Sequence, residues 1–116
     1  MTDTYSELEA VDLSKYAKEK GKFHYVPWAV AWSEFVKRVP DATYALSDDK
    51  VYPDGTMEVR CSVTARGCTH TMWLPVTNYS NRPIERPDAF AVNTARMRCF
   101  TKCLSMFGLG SSYFKK

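Results

Sequence analysis

Residues 57–66, Met-Glu-Val-Arg-Cys-Ser-Val-Thr-Ala-Arg, constrain the fold more than any other stretch. Met57, Val59, Cys61 and Val63 alternate with Glu58, Arg60, Ser62, Thr64 and Arg66. Period-two alternation describes a strand with one apolar face, and that face must be covered by another element. Pro53-Asp54-Gly55 immediately upstream is a turn signal, since proline fixes φ and glycine accepts a positive φ. Residues 42–52, with Tyr44 and Leu46 alternating, therefore read as one strand of a β-hairpin with 57–66. Gly67 turns the chain into a third strand, 70–76, whose Met72, Leu74 and Val76 join the apolar face. Thr71 and Trp73 fall on the opposite face with Arg60 and Thr64. A Trp on such a polar surface implies a cover, either the amino-terminal arm or a neighbouring subunit.

Helical patterns flank the sheet. Pro27 suits a first helical turn, and Trp28, Trp32, Phe35 and Val39 recur at helical spacing before Pro40. The spacing predicts an amphipathic helix over 27–38 with Ser33, Glu34 and Lys37 on the solvated face. A second helix is predicted over 89–107, capped by Gly108. Its apolar arc takes Val92, Ala95, Cys99, Phe100, Cys103, Leu104, Met106 and Phe107, opposite Thr94, Arg98, Thr101, Lys102 and Ser105. Arg98 and Lys102 are four apart and stack. Arg96 sits inside the apolar arc, so it must pair with a carboxylate, emerge near the helix start or line a groove.

The remaining segments are less regular. Apolar positions at Leu8, Val11, Leu13 and Tyr16 give the amino-terminal section the look of a loose helix or an arm ordered by contact, ending at Gly21. Residues 77–88 form a long loop with Asn78, Asn81, Arg82, Pro83, Arg86 and Pro87, and loops of this length are often functional. The tail from 111 to 116 begins like a strand. The domain organisation read from this is an acidic arm, 1–22, and a core domain, 23–116. The fold class is α+β, in the order helix, three-stranded antiparallel sheet with a long β-hairpin, helix.

Composition restricts function. The chain has 116 residues, 45% hydrophobic and 25% charged, an ordinary globular balance. The longest apolar run, 25–32, is far short of the roughly 20 residues that span a bilayer. No membrane is implied, and an amino-terminal section without early bases is unlike an export signal, so a cytoplasmic protein is expected. The net charge of +3 hides an asymmetry: residues 1–13 hold four acids and no base, leaving +7 on the rest. After Asp88 there is no acid, while Arg96, Arg98, Lys102, Lys115 and Lys116 follow. A basic body fits a polyanion partner, which it binds with release of phosphate counterions.

Several chemistries find no support. The four cysteines form no CxxC pair, and reduced, packed thiols are expected; Cys68 and His70 are the best remnant of a metal site but lack two further ligands. Phosphate-loop, dinucleotide, nucleophile-elbow and zinc-protease motifs are absent. Asp48 and Asp49 read as solvated loop charge. What remains is a set of cations interleaved with aromatics: Arg60, Arg66 and Trp73 on one sheet face, Arg82 and Arg86 in the loop, Arg98 and Lys102 on the helix. Cations that track phosphates and aromatic faces that stack bases suit single strands. Double-stranded RNA-binding modules share the α-β-β-β-α order, but their second helix opens with lysines, whereas this one opens Ala89-Phe90-Ala91-Val92. A zinc-dependent enzyme or structural metal domain is a third class, which a metal assay distinguishes.

Specific strings narrow the choice. Tyr25-Val26-Pro27-Trp28-Ala29-Val30-Ala31-Trp32, Pro40-Asp41-Ala42-Thr43-Tyr44, Met72-Trp73-Leu74-Pro75-Val76, and Asn93-Thr94-Ala95 through Arg98-Cys99, Lys102 and Phe107-Gly108-Leu109-Gly110 lie in collinear order. Together they resemble the Sak-type single-strand annealing proteins of bacteriophages over about residues 24–110. The resemblance implies a β-β-β-α core related to eukaryotic Rad-type mediators and to the phage ERF and RecT recombinases. It implies ATP-independent annealing of complementary single-stranded DNA in recombination and repair, without catalysis or cofactor. The implied assembly is a homo-oligomer, ring or helical filament, with a host or phage single-strand-binding protein as a further partner. Arg98 and Lys102 match the family's helix pattern and carry over as DNA contacts. Trp28 and Trp32 also match, with stripe spacing that favours packing. Arg96 departs from an apolar family position, and the chain ends soon after Gly110, where family members continue. Candidate DNA-binding residues are therefore Arg98, Lys102, Arg60, Arg66, Arg82, Arg86, Arg96 and Trp73. Arg98, Lys102, Arg60 and Arg66 are expected to line one groove, with Trp73 and the strand edges also serving subunit contact.

Overall fold

The computed structural model describes residues 4–13, 18–20, 23–25, 27–78 and 80–110. The elements are α1 (Thr4–Glu9), β1 (Lys18–Lys20), β2 (Phe23–Tyr25), α2 (Trp28–Arg38), β3 (Thr43–Leu46), β4 (Lys50–Val51), β5 (Met57–Ala65), β6 (Cys68–Pro75) and α3 (Ala89–Ser105). Tyr16, Gly21 and the 111–116 tail lie outside the described residues.

The alternating segment becomes the central strand. β5 pairs antiparallel with β6 along one side, from Glu58↔Pro75 to Ala65↔Cys68. Along its other side it pairs first with β4 and then with β3. The single strand expected over 42–52 is thus two, because the chain leaves the ladder at Ser47, Asp48 and Asp49. The β5–β6 connection is a two-residue turn with Arg66 at φ 51° and Gly67 at φ 78°. Two successive positive φ values define the turn whose twist matches that of paired strands. β1 and β2 form a separate antiparallel hairpin that the sequence reading did not anticipate.

Val59, Cys61, Val63 and Ala65 are buried on one sheet face, as the alternation requires. α3 crosses that face, burying Ala95, Cys99, Phe100, Cys103 and Leu104. Phe100 and Leu104, fully buried, each contribute up to about 1.5–3 kcal/mol of hydrophobic stabilisation. Asp88 caps the helix, its Oδ1 accepting from Ala91 N at 2.8 Å. The helix ends at Ser105, and Met106, its C-cap, is 47% exposed, not buried as its place in the arc predicts.

α2 packs on α3 through Ala31 and Phe35, and Trp32 sits between Phe35, Tyr44 and Phe100 with ring centroids 5.2–6.0 Å away. Trp28 is at the rim, 43% exposed. Glu34 is buried, contrary to the solvated position expected of it. Arg38 reaches back one turn to its Oε2 at 2.7 Å, and Lys37 approaches Oε1 at 3.5 Å, which supplies the charge a buried carboxylate needs. The result is a two-layer α+β domain with its core between the sheet and the α2–α3 pair.

Residues 4–13 of the amino-terminal section are packed on the domain. Leu8 and Leu13 are fully buried members of the core cluster. Arg66 at the hairpin tip holds α1 in place: Nη1 donates to Thr4 Oγ1 at 3.1 Å and Glu7 Oε2 at 3.0 Å, and Nη2 donates to the Arg38 carbonyl at 3.1 Å. Its backbone N–H donates to Asp41 Oδ2 at 3.0 Å. One forked guanidinium therefore ties α1, the end of α2 and the sheet together.

Candidate nucleic-acid interface

The structure sorts the candidate cations into neutralised and available ones. Arg66 is neutralised by Glu7, and that hydrogen bond raises its pKa further. Arg60 Nε donates to Glu58 Oε2 at 3.0 Å on the outer sheet face. Arg96 pairs with Asp49, its Nε 3.4 Å from Oδ1 and its Nη2 on Oδ2. Of the three outcomes open to Arg96, the carboxylate partner is the one realised, and Asp49 is part of a fixed pair rather than a solvated loop charge. Its side chain is only 13% exposed.

Arg82, Arg86, Arg98 and Lys102 form no ion pair among the described residues. Arg98 and Lys102 are exposed on α3, a helix without a single acidic residue. Arg98 Nη1 lies 3.4 Å from Thr77 Oγ1, at the start of the long loop. That loop is folded rather than irregular: Thr77 bridges to Pro83, Asn78 N donates to the Arg82 carbonyl at 2.9 Å, and Asn78 Oδ1 accepts from Ser80 N and Arg82 N. Thr77 thus links the helix cations to the segment that carries Arg82. Arg86, at φ 49°, belongs to the far end of the loop, where its N–H donates to the Gly55 carbonyl at 2.7 Å.

Arg98, Lys102, Arg60 and Arg66 do not line one groove. Val59 and Cys61 point at α3, so Arg60 between them points away, and the sheet separates it from the helix cations. Trp73, directly opposite Arg60 in the ladder and 58% exposed, shares that outer face with paired hydroxyls, Ser62–Thr71 and Thr64–Thr69, each at 2.8 Å. α1 of the amino-terminal arm packs elsewhere, at the hairpin tip, and Trp73 is open among the described residues. Among the described residues, exposed aromatics not singled out as surface groups from the sequence are Tyr5, Trp28, Tyr44, Tyr52 and Phe90, the last 75% exposed. Phe90 stands in the apolar opening of α3, a signal used only to argue against lysines there.

The cysteines are reduced. Cys61, Cys99 and Cys103 are buried and Cys68 is exposed. Burial pushes the Cys99 thiol up to about 11, and the hydrogen bond of Cys61 to Cys103 holds the Cys61 proton in place. Among the described residues no three His, Cys, Asp or Glu side chains gather into a metal-binding group, and no helix is long and apolar enough to cross a membrane.

Among the described residues, an acid-free helix and the loop beside it carry exposed cations without ion-pair partners, an arrangement in an α+β domain that suits a polyanion. Residues 3–115 match the family model of the Sak single strand annealing protein, and the chain belongs to that family. No curated protein matches it.

Proposed function

We propose that this chain binds single-stranded DNA and anneals complementary strands without ATP or catalytic chemistry, in the cytoplasm of a bacterial host during phage recombination and repair. The observation that carries this reading is the pair Arg98 and Lys102: exposed, one turn apart, free of carboxylates among the described residues, and joined through Thr77 to the Arg82 loop. Annealing requires the phosphates to be held while the Watson–Crick edges stay free to test a complement. Flexible cations on a helix flank meet that requirement, because they bind the backbone without covering the bases.

In this reading Arg98, Lys102 and Arg82 hold the strand, with Arg86 at the margin. Arg60, Arg66 and Arg96 are withdrawn from that role by Glu58, Glu7 and Asp49. The outer sheet face with Trp73 serves subunit contact in a ring or helical homo-oligomer that extends the binding path from copy to copy. A single-strand-binding protein of host or phage supplies the strands, and residues 1–22 act as an arm on the 23–116 core.

The test is annealing of two complementary oligonucleotides without nucleotide, with binding to each strand, to duplex DNA and to duplex RNA measured at two salt concentrations. Faster annealing with single-strand preference is expected. Tight duplex-RNA binding without annealing would replace this reading with that of a double-stranded RNA module.

A further inference from the structure

At the end of the domain where α1, the β5–β6 tip and the end of α3 meet, a cavity of about 270 Å³ is lined by Cys68, His70, Met106 and Phe107. Cys68 and His70 are two apart on β6 and share a face, with Cys68 Sγ 3.8 Å from His70 Nε2. The two atoms are within hydrogen-bonding reach of each other, a separation that also lets both bind one metal ion. Bonds of zinc-site length, about 2.3 Å to sulfur and about 2.0–2.1 Å to nitrogen, opened to about 120°, would span about 3.8 Å between donors.

The sequence offers this pair no third ligand, and no further His, Cys, Asp or Glu joins it among the described residues. A sulfur of another kind is nearby: Met106, the C-cap of α3, is 47% exposed and lines the same cavity. Phe107 meets the His70 ring edge-on, centroids 4.5 Å apart at 73°, which fixes the imidazole plane. We propose that Cys68, His70 and Met106 form a three-coordinate site for a soft monovalent metal ion, Cu(I). The donor set of one thiolate, one imidazole and one thioether is soft, which selects Cu(I) over harder ions. A single anionic ligand balances one positive charge. A divalent ion would keep an excess positive charge on this donor set.

Binding breaks one bond to hydrogen and changes no oxidation state. Cys68 releases its thiol proton to solvent, His70 offers the Nε2 lone pair as a neutral imidazole protonated at Nδ1, and Met106 adds its sulfur lone pair. The site is independent of the strand-binding reading, since none of its residues belongs to the helix-flank cations.

The experiment is anaerobic titration of the full chain with Cu(I), held reduced and in competition with the chromophoric chelator bathocuproine disulfonate. One tight Cu(I) per chain is expected. Cys68→Ser should weaken binding by more than the roughly 10–100-fold that loss of a supporting residue costs, and Met106→Leu by about tenfold or more. Both residues are exposed, and far-UV circular dichroism checks that the variants stay folded. Absence of tight binding, or binding that either variant leaves unchanged, would overturn the site. Unchanged binding in both variants would place the metal on the buried thiols instead.

Discussion

Arg96 and Asp49, 47 residues apart, form a two-pronged ion pair that ties the middle of α3 to the gap between β3 and β4. Asp49 is mostly buried and Arg96 is 38% exposed, so the pair is screened on one side only. Asp49→Asn should destabilise the domain by about 1 kcal/mol, between the value of an exposed pair and that of a buried charged hydrogen bond. A double-mutant cycle with Arg96→Met, read by denaturant unfolding, should return most of that as coupling. Additive single effects would show that the pair contributes nothing.

Loss of Arg98 and Lys102 should weaken single-strand binding at every sequence. With two phosphate contacts removed, the slope of log affinity against log salt should fall by about 1.4 for the double alanine variant. Arg60→Ala should change the slope far less, since Glu58 already holds that guanidinium. Equal effects from the two variants would move the binding path to the sheet face. Fluorescence anisotropy of a labelled oligonucleotide across a salt series reads both.

Local periodicity accounts for what could be read in advance. The β5 alternation, the helix between Pro27 and Pro40 and the buried side of α3 all follow from contacts between near neighbours in sequence. Three features were not legible. Glu34 falls on a polar wheel position yet is buried, paired with Arg38 and Lys37 of its own helix. Arg66 reads as a surface cation, yet Glu7 arrives from 59 residues away. Leu8 and Leu13 are five apart, a spacing that fits neither period, because the chain leaves the helix at Glu9 and buries Leu13 from non-helical backbone. In the candidate interface the cations themselves were legible, but their partners, and therefore their availability, were not.

Gly108 and Gly67 both have positive φ but should differ in cost. A Cβ on Gly108, at φ +111°, would lie 2.4 Å from the Tyr5 carbonyl oxygen, whereas nothing approaches one on Gly67 within 4 Å. Gly67→Ala should cost about 1–2 kcal/mol from backbone strain alone. Gly108→Ala adds the collision with α1 and should cost about 1–3 kcal/mol more. It should also raise the protease sensitivity of the α1 segment, which Gly67→Ala should leave unchanged.

Asp54 gives the turn before β5 a dependence on pH. Its Oδ1 accepts from Thr56 Oγ1 at 2.6 Å and Thr56 N at 2.9 Å, and these bonds hold the carboxyl below its ordinary 3.8. A lowered folded value means the contribution is complete above pH 3.8 and is lost as pH falls through the folded value. The Thr56 amide resonance should follow that titration, and Asp54→Asn should abolish it. A Thr56 shift that survives the substitution would assign the titration to another carboxyl.

The four thiols should divide one against three. Cys68 is exposed, while Cys61, Cys99 and Cys103 have no exposed surface. With the Cys99 thiol at about 11, roughly 0.1% of it is thiolate at pH 8, and the reagent has no path to the sulfur. A disulfide reagent should therefore modify one thiol quickly in the native chain and the other three only as fast as the domain opens. Cys68→Ser should remove the fast phase alone. Because the folded Cys99 value is raised above the ordinary 9.0, its contribution to stability is complete below pH 9.0 and is lost as pH rises toward about 11. Cys99→Ala should lower stability at neutral pH through the cavity it leaves, yet reduce the alkaline loss over that window. Two or more fast thiols at neutral pH would show that the contact between α3 and the sheet opens far more readily than its packing implies.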